Sequence, residues 1–176
     1  CGACAPRCPA DAITTANAAS FGQWQQRYLE FDQPNSYISP TLGCMGPGVP
    51  SAVAAKLAHP QRAVIAHIGD GGFLMTGQEL ATAAQYGAPV IALVVNNGMY
   101  GTIRMHQERE YPGRISGTEL QNPDFAAYAR AFGGHGEVVE TTGQFAPAFE
   151  RARASGKPAL IELRIDPDAI TTTSTL

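Results

Sequence analysis

Charge is scarce in this chain of 176 residues: Asp, Glu, Lys and Arg together make up 15 % of it, and the formal net charge is −3. The few basic residues form no cluster, so the sequence offers nothing for a nucleic-acid backbone to bind. No apolar run approaches the roughly 18 residues that a membrane-spanning helix requires. Nothing resembles a secretory leader, so the expected compartment is the cytoplasm, with no membrane partner. Internal repeats are missing as well. The hydrophobic share of 44 % is too high for a disordered chain. Glycine (19 residues) and proline (13 residues) are plentiful, which fits a compact α/β domain with many tight turns. The length suits one domain with a single substantial core. Sparse charge also suggests that some surface is normally covered by other protein.

Two apolar runs, residues 63–68 and 90–95, read as buried parallel strands. Each ends in small polar residues: Gly69-Asp70-Gly71-Gly72 after the first, Asn96-Asn97-Gly98-Met99 after the second. An open α/β sheet binds ligands beyond the carboxyl ends of its strands, which would bring both clusters to one rim. That rim then carries a carboxylate (Asp70), a side-chain amide (Asn97) and glycines that let backbone N–H groups approach an anion. Carboxylate, amide oxygen and backbone carbonyl are hard ligands of the kind magnesium takes beside a phosphate. Residue chemistry alone therefore suggests a divalent-metal diphosphate site.

Gly69-Asp70-Gly71, a following helix with Glu79-Leu80, a strand and then Asn96-Asn97 resemble the signature of thiamine-diphosphate enzymes of the acetolactate-synthase-like family. The likeness runs from about Pro9 onward and corresponds to the family's C-terminal cofactor domain. It implies a three-layer, doubly wound α/β fold of mainly parallel strands, with thiamine diphosphate and Mg2+ as cofactors. By the same resemblance Asp70, Asn97 and the Met99 carbonyl hold the metal, and Gly69, Gly71, Gly72, Tyr100 and Gly101 lie along the diphosphate. Ser20 and Phe21 meet its terminal phosphate, with Ser20 equally readable as a plain helix N-cap. The Gly43 carbonyl accepts from the aminopyrimidine, and Met45 wedges between the two rings; the plainer reading of Met45 is core filler. Thr102, Ile103 and His106 face the substrate, although this chain departs from acetolactate synthases near Thr102 and at His106, and the plainer reading of His106 is an exposed helix histidine, with an acid or base role left open.

In order along the chain, residues 12–15 read as a strand. Residues 21–31 read as a helix with Phe21, Trp24, Tyr28 and Leu29 inward. Residues 39–50 are too rich in Gly and Pro for regular structure, and a helix with Ala52, Val53, Ala55 and Leu57 follows. Thr76-Gly77-Gln78-Glu79 has capping-box spacing, which accounts for Glu79 without a catalytic role. Helices are expected over 102–110, from Asn122-Pro123-Asp124 through Phe132, and over 145–154. Strands are expected over 137–139 and 158–165. The connection 111–122 reads as a polar flap, and residues 168–176 as a flexible tail. Cys1, Cys4 and Cys8 match the end of a ferredoxin-type run without its first cysteine. A cluster would need a fourth ligand from Cys44 or a partner; an altered or truncated chain start is the simpler reading of residues 1–9, and a disulfide stays open.

The resemblance implies an enzyme acting on a small 2-oxo acid by decarboxylation and carboligation, as a homodimer or homotetramer. It also implies an activating glutamate from an N-terminal domain for which this sequence has no match, so the chain alone is expected to be inactive. Two alternatives accompany it: a thiamine-diphosphate oxidoreductase domain with an iron–sulfur segment, and a non-catalytic phosphate-binding domain.

Overall fold

The computed structural model of the chain describes residues 4–19, 21–31, 33–170 and 172. Six strands form one sheet: β1 (Ile13–Ala16), β2 (Tyr37–Ile38), β3 (Val64–Gly69), β4 (Ile91–Asn96), β5 (His135–Val139) and β6 (Ala159–Arg164). Their order is β2-β1-β3-β4-β6-β5, and every pairing is parallel. Among the described residues seven α-helices intervene: α1 (Gly22–Tyr28), α2 (Gly48–Ala58), α3 (Asp70–Thr76), α4 (Leu80–Gln85), α5 (Gly101–Glu110), α6 (Phe125–Ala131) and α7 (Thr142–Ala154).

Side chains alternate along a strand, so a sheet covered on both sides fills two cores from one sequence run. Val64, Ala66 and Ile68 of β3, with Ala92 and Val94 of β4, pack with α2, Phe73 of α3, α4 and α6. Ile65, Ile91, Leu93 and Ile161 point the other way, toward Phe145, Ala148, Phe149 and Ala152 of α7. These two clusters make the expected three layers. The chain leaves β1 toward the β2 edge and then returns to lay β3 and β4 on the other side of β1. That reversal is the topological switch point at which open α/β sheets bind ligands. The carboxyl ends of β1, β3 and β4 meet there.

Several boundaries differ from the sequence expectation. β2 is added at the edge; two residues beside a Gly- and Pro-rich stretch carry too little pattern to be seen. The first helix is shorter than expected, and Gln25 is buried on it while Tyr28 is 42 % exposed. α2 begins at Gly48, inside the expected loop, with Leu57 exposed and Lys56 buried instead, its ammonium donating to the carbonyls of Pro60 and Arg62. Gly48 is needed there: a Cβ would sit 2.8 Å from Asn17 Oδ1 and 2.9 Å from Ile68 Cγ1.

The capping box forms elsewhere. Thr76 ends α3, and its hydroxyl donates to the Gly46 carbonyl at 2.5 Å, while Glu79 accepts from the Thr82 hydroxyl. The box is instead Thr141 with Gln144, where extended chain enters α7. Asp124 caps α6 as expected, accepting from the Ala127 N–H at 2.8 Å. Of the expected flexible tail, residues 171 and 173–176 lie outside the described residues; before them Ile170 is 2 % exposed, and the exposed Asp168 lies 3.6 Å from Arg104.

Candidate functional site

A cavity of about 360 Å³ opens at the carboxyl ends of β1, β3 and β4. Its walls include Phe21, Gly43, Met45, Gly69, Asp70, Gly71, Gly72, Asn97, Met99, Tyr100 and Gly101, with Thr102 and Ile103 at the start of α5. Asp70 and Asn97, on different strand ends, thus face one space. Ser20 and Cys1 lie outside the described residues. His106 is exposed on α5 and does not line the cavity.

Asp70 is the first residue of α3 and only 2 % exposed. Oδ1 accepts from the Gly71 N–H at 2.9 Å; Oδ2 accepts from the Gly98 N–H at 2.9 Å and from Asn122 Nδ2 at 2.8 Å. Burial pushes its pKa above the ordinary carboxylate value, and those donors pull it back only in part. Asn97 Oδ1 accepts from the Met99 N–H at 3.3 Å, which folds the turn so that side chain and backbone of this loop meet the cavity together. A Cβ on Gly71 would lie 2.5 Å from Tyr100 Cε1, and one on Gly72 would collide with Asn17 Nδ2. Both positions let the α3 backbone close against neighbours that a side chain would push aside.

Three residues escaped the sequence reading. Asn122 Nδ2 joins Asp70 Oδ2 to Asn96 Oδ1, the latter at 2.9 Å. Asn96 Nδ2 in turn donates to Glu162 Oε1 at 2.8 Å. Asn17, 3 % exposed at the end of β1, accepts from the Gly48 N–H, while its Nδ2 is buried beside the cavity with no acceptor among the described residues. The sole signal for Asn17 was its place at a strand's carboxyl end. Asn122 was legible only as a helix start, since nothing in spacing ties it to a carboxylate 52 positions earlier.

The expected flap is pinned over its second half. Leu120 N–H donates to the Gly98 carbonyl and Tyr100 N–H to the Thr118 carbonyl, each at 2.8 Å, with Met99 and Glu119 paired antiparallel between them. Residues 111–117 are exposed. Among the described residues, which leave out Cys1, no group of three or more His, Cys, Asp or Glu is placed to hold a metal ion.

The residues present fit a metal-bound diphosphate. The candidate donor set is all oxygen, and among the described residues no cationic side chain pairs with the buried carboxylate and no acceptor meets Asn17 Nδ2. Residues 18–163 match the family described as thiamine pyrophosphate enzyme, C-terminal TPP binding domain. The chain belongs to that family. An acetolactate synthase large subunit of Mycobacterium tuberculosis is 35 % identical over 158 residues, which cover 89 % of this chain and 29 % of the relative. The acetolactate synthase isozyme 2 large subunit of Escherichia coli is 34 % identical, over 91 % of this chain and 30 % of its own length. The solved thiamine diphosphate-dependent 4-hydroxybenzoylformate decarboxylase of Rhodococcus jostii RHA1 superposes with a TM-score of 0.88 at 34 % identity, covering 94 % of this chain and 31 % of that one. The chain thus spans about three tenths of the length of these relatives and corresponds to their thiamine-pyrophosphate-binding domain, of acetolactate-synthase-like type. No helix among the described residues is long and apolar enough to cross a membrane.

Proposed function

We propose that this domain binds thiamine diphosphate through a magnesium ion, as the cofactor-holding part of an enzyme that cleaves or ligates 2-oxo acids. The protein ligands are an Asp70 carboxylate oxygen, Asn97 Oδ1 and the Met99 carbonyl oxygen. The observation that carries this reading is a buried carboxylate and a side-chain amide, from two neighbouring strand ends, lining one cavity. Two phosphate oxygens and a water would complete the octahedron magnesium prefers. When bound, the cofactor supplies an electron sink for breaking the bond beside a 2-oxo carbonyl.

The chain's own residues bind and orient. Gly71, Gly72, Tyr100 and Gly101 line the diphosphate space, with the Gly72 and Gly101 N–H groups as its backbone donors because those of Gly71 and Tyr100 already donate to Asp70 Oδ1 and the Thr118 carbonyl; Asn17 Nδ2 adds a side-chain donor from the end of β1. Phe21 walls the same end. The Gly43 carbonyl and Met45 set the conformation of the organic half. Thr102 and Ile103 border the substrate space; the exposure of His106 favours a surface role for that residue. Residues 1–176 act as one binding domain. The activating glutamate comes from a separate N-terminal domain in a homodimer or homotetramer, in the cytoplasm, so the isolated chain turns over no 2-oxo acid.

Calorimetric titration of the chain with thiamine diphosphate tests this. Binding is expected with magnesium present, and its loss is expected in Asp70→Ala and in Asn97→Ala. Equal affinity with and without a divalent ion would overturn the ligand assignment. Measurable decarboxylation by the chain alone would overturn the claim that it is catalytically incomplete.

A further inference from the structure

Cys4 and Cys8 bracket a single 3₁₀ turn, Ala5–Arg7. Arg7 N–H and Cys8 N–H both donate to the Cys4 carbonyl, at 2.8 and 3.1 Å, so the turn closes on itself. This closure brings the two Sγ atoms within 3.3 Å of one another. The thiols are unlike. Cys4 is 3 % exposed and packs in the α7-side core, where it also borders an apolar cavity with Trp24, His67 and Phe145. Cys8 is half-buried at the edge of that core and lines an open surface groove with Pro9, Thr14 and Tyr28.

The S–H···S contact acts oppositely on the two. Donated from Cys4, it holds the Cys8 thiol below its ordinary value against the effect of burial. The same contact, burial and the neighbouring charge of Cys8 drive Cys4 far upward. The thiolate is the reactive form of cysteine, so Cys8 is the group an outside reagent meets first.

We propose that Cys4 and Cys8 form a reversible intramolecular disulfide, with Cys8 as the attacking thiol and Cys4 as the resolving one, in exchange with a low-molecular-weight disulfide such as oxidised glutathione. In the first step Cys8 Sγ attacks one glutathione sulfur; the glutathione S–S bond breaks, one glutathione thiolate leaves, and Cys8 carries the other half as a mixed disulfide. In the second step Cys4 loses its proton to water and attacks Cys8 Sγ, expelling the second glutathione thiolate. The net exchange is one protein dithiol and one oxidised glutathione for one protein disulfide and two reduced glutathiones. The sulfurs need to close by about 1.3 Å to reach the bonded length of about 2.05 Å. Only one short turn has to tighten for that.

The test uses the whole chain, treated with oxidised glutathione and digested with trypsin without reduction. Arg7 lies between the two cysteines, so cleavage after Arg7 and Arg27 separates residues 1–7 from residues 8–27 unless a bridge joins them. The expected result is a protein two hydrogens lighter, free of glutathione, whose peptides 1–7 and 8–27 stay joined until reduced. Cys1→Ser is expected to keep that link, and Cys4→Ser to stop at a glutathione adduct on Cys8. Three results would overturn the proposal: a lasting adduct on Cys8 in the unaltered chain, a link that survives in Cys4→Ser, or full alkylation of both thiols after treatment. The exposed Cys44 falls in a different tryptic peptide and reports non-selective oxidation within the same digest.

Discussion

His67 and Asp70 stand three positions apart, both almost wholly buried, and their surroundings are opposite. Asp70, at the rim, is met by three N–H donors and faces the cavity at the strand ends. His67 points from β3 into the α7-side layer among Phe21, Trp24, Leu93 and Phe145, and its Nε2 has no partner among the described residues. Burial drops its pKa from 6.5 to about 3, so the ring is neutral under ordinary conditions. The contrast separates two kinds of buried polar group. Asp70 is held in place by N–H donors at the rim, where the proposed reading makes it a metal ligand, whereas His67 is a cost carried by an apolar layer.

The strongest way to break this comparison is to remove the charge that the rim is built around. Asp70→Asn keeps the size of the side chain but turns an amide N–H toward groups that are themselves donors. Magnesium-dependent affinity for thiamine diphosphate should fall by more than about 100-fold, beyond the range seen for residues one step removed from a metal. Asn122→Ala takes away the donor linking Asp70 to Asn96. Its expected effect is about 10- to 100-fold on the same calorimetric affinity, with a loss of about 1–3 kcal/mol in urea unfolding because Asp70 Oδ2 and Asn96 Oδ1 each lose one donor and keep only the Gly98 N–H. A change in stability without a change in affinity would reduce Asn122 to a structural tie.

His67→Leu sharpens the other side. Replacing an unpartnered buried imidazole with an apolar side chain should stabilise the chain by about 1–3 kcal/mol at neutral pH, with cofactor affinity unchanged. The smallest effects lie in the pH dependence, where the two groups act in opposite directions. Between 6.5 and about 3 the unfolded chain binds more protons at His67 than the folded one, so stability is complete above that window and drains away as pH falls through it. His67→Leu should flatten this acid limb in thermal melts. At Asp70 the folded value lies above 3.8, so the folded chain holds the extra proton just above that pH, and stability falls as pH rises through the window. Saturating magnesium and thiamine diphosphate should reverse the Asp70 contribution, since a metal-bound carboxylate must be deprotonated.

Legibility followed the range of the interactions involved. The central strands were readable because β3 and β4 are buried on both faces, which leaves continuous apolar runs ended by small polar residues. Asp70 and Asn97 were readable for the same reason: each stands just past such a run. The capping box shows the opposite. Ser/Thr-x-x-Glu/Gln spacing occurs at Thr76 and at Thr141, yet only Thr141 lies in extended chain entering a helix; Thr76 ends one, and Gly46 takes its hydroxyl. The edge strand β2, the inward turn of Gln25 in place of Tyr28 and the burial of Ile170 likewise depend on distant neighbours.

The amino-acid order by itself determined the alternation of strands and helices, the parallel sheet and the two polar strand ends, because these arise from short-range periodicity and from how much of a strand must be buried. The joining of Asp70 to Asn122, the unfilled hydrogen bonds of Asn17 and His67, and the meeting of Cys4 with Cys8 were decided by the tertiary structure. A hydrogen bond or a thiol contact depends on ångström-scale distance between atoms, and that distance exists only once the layers have packed.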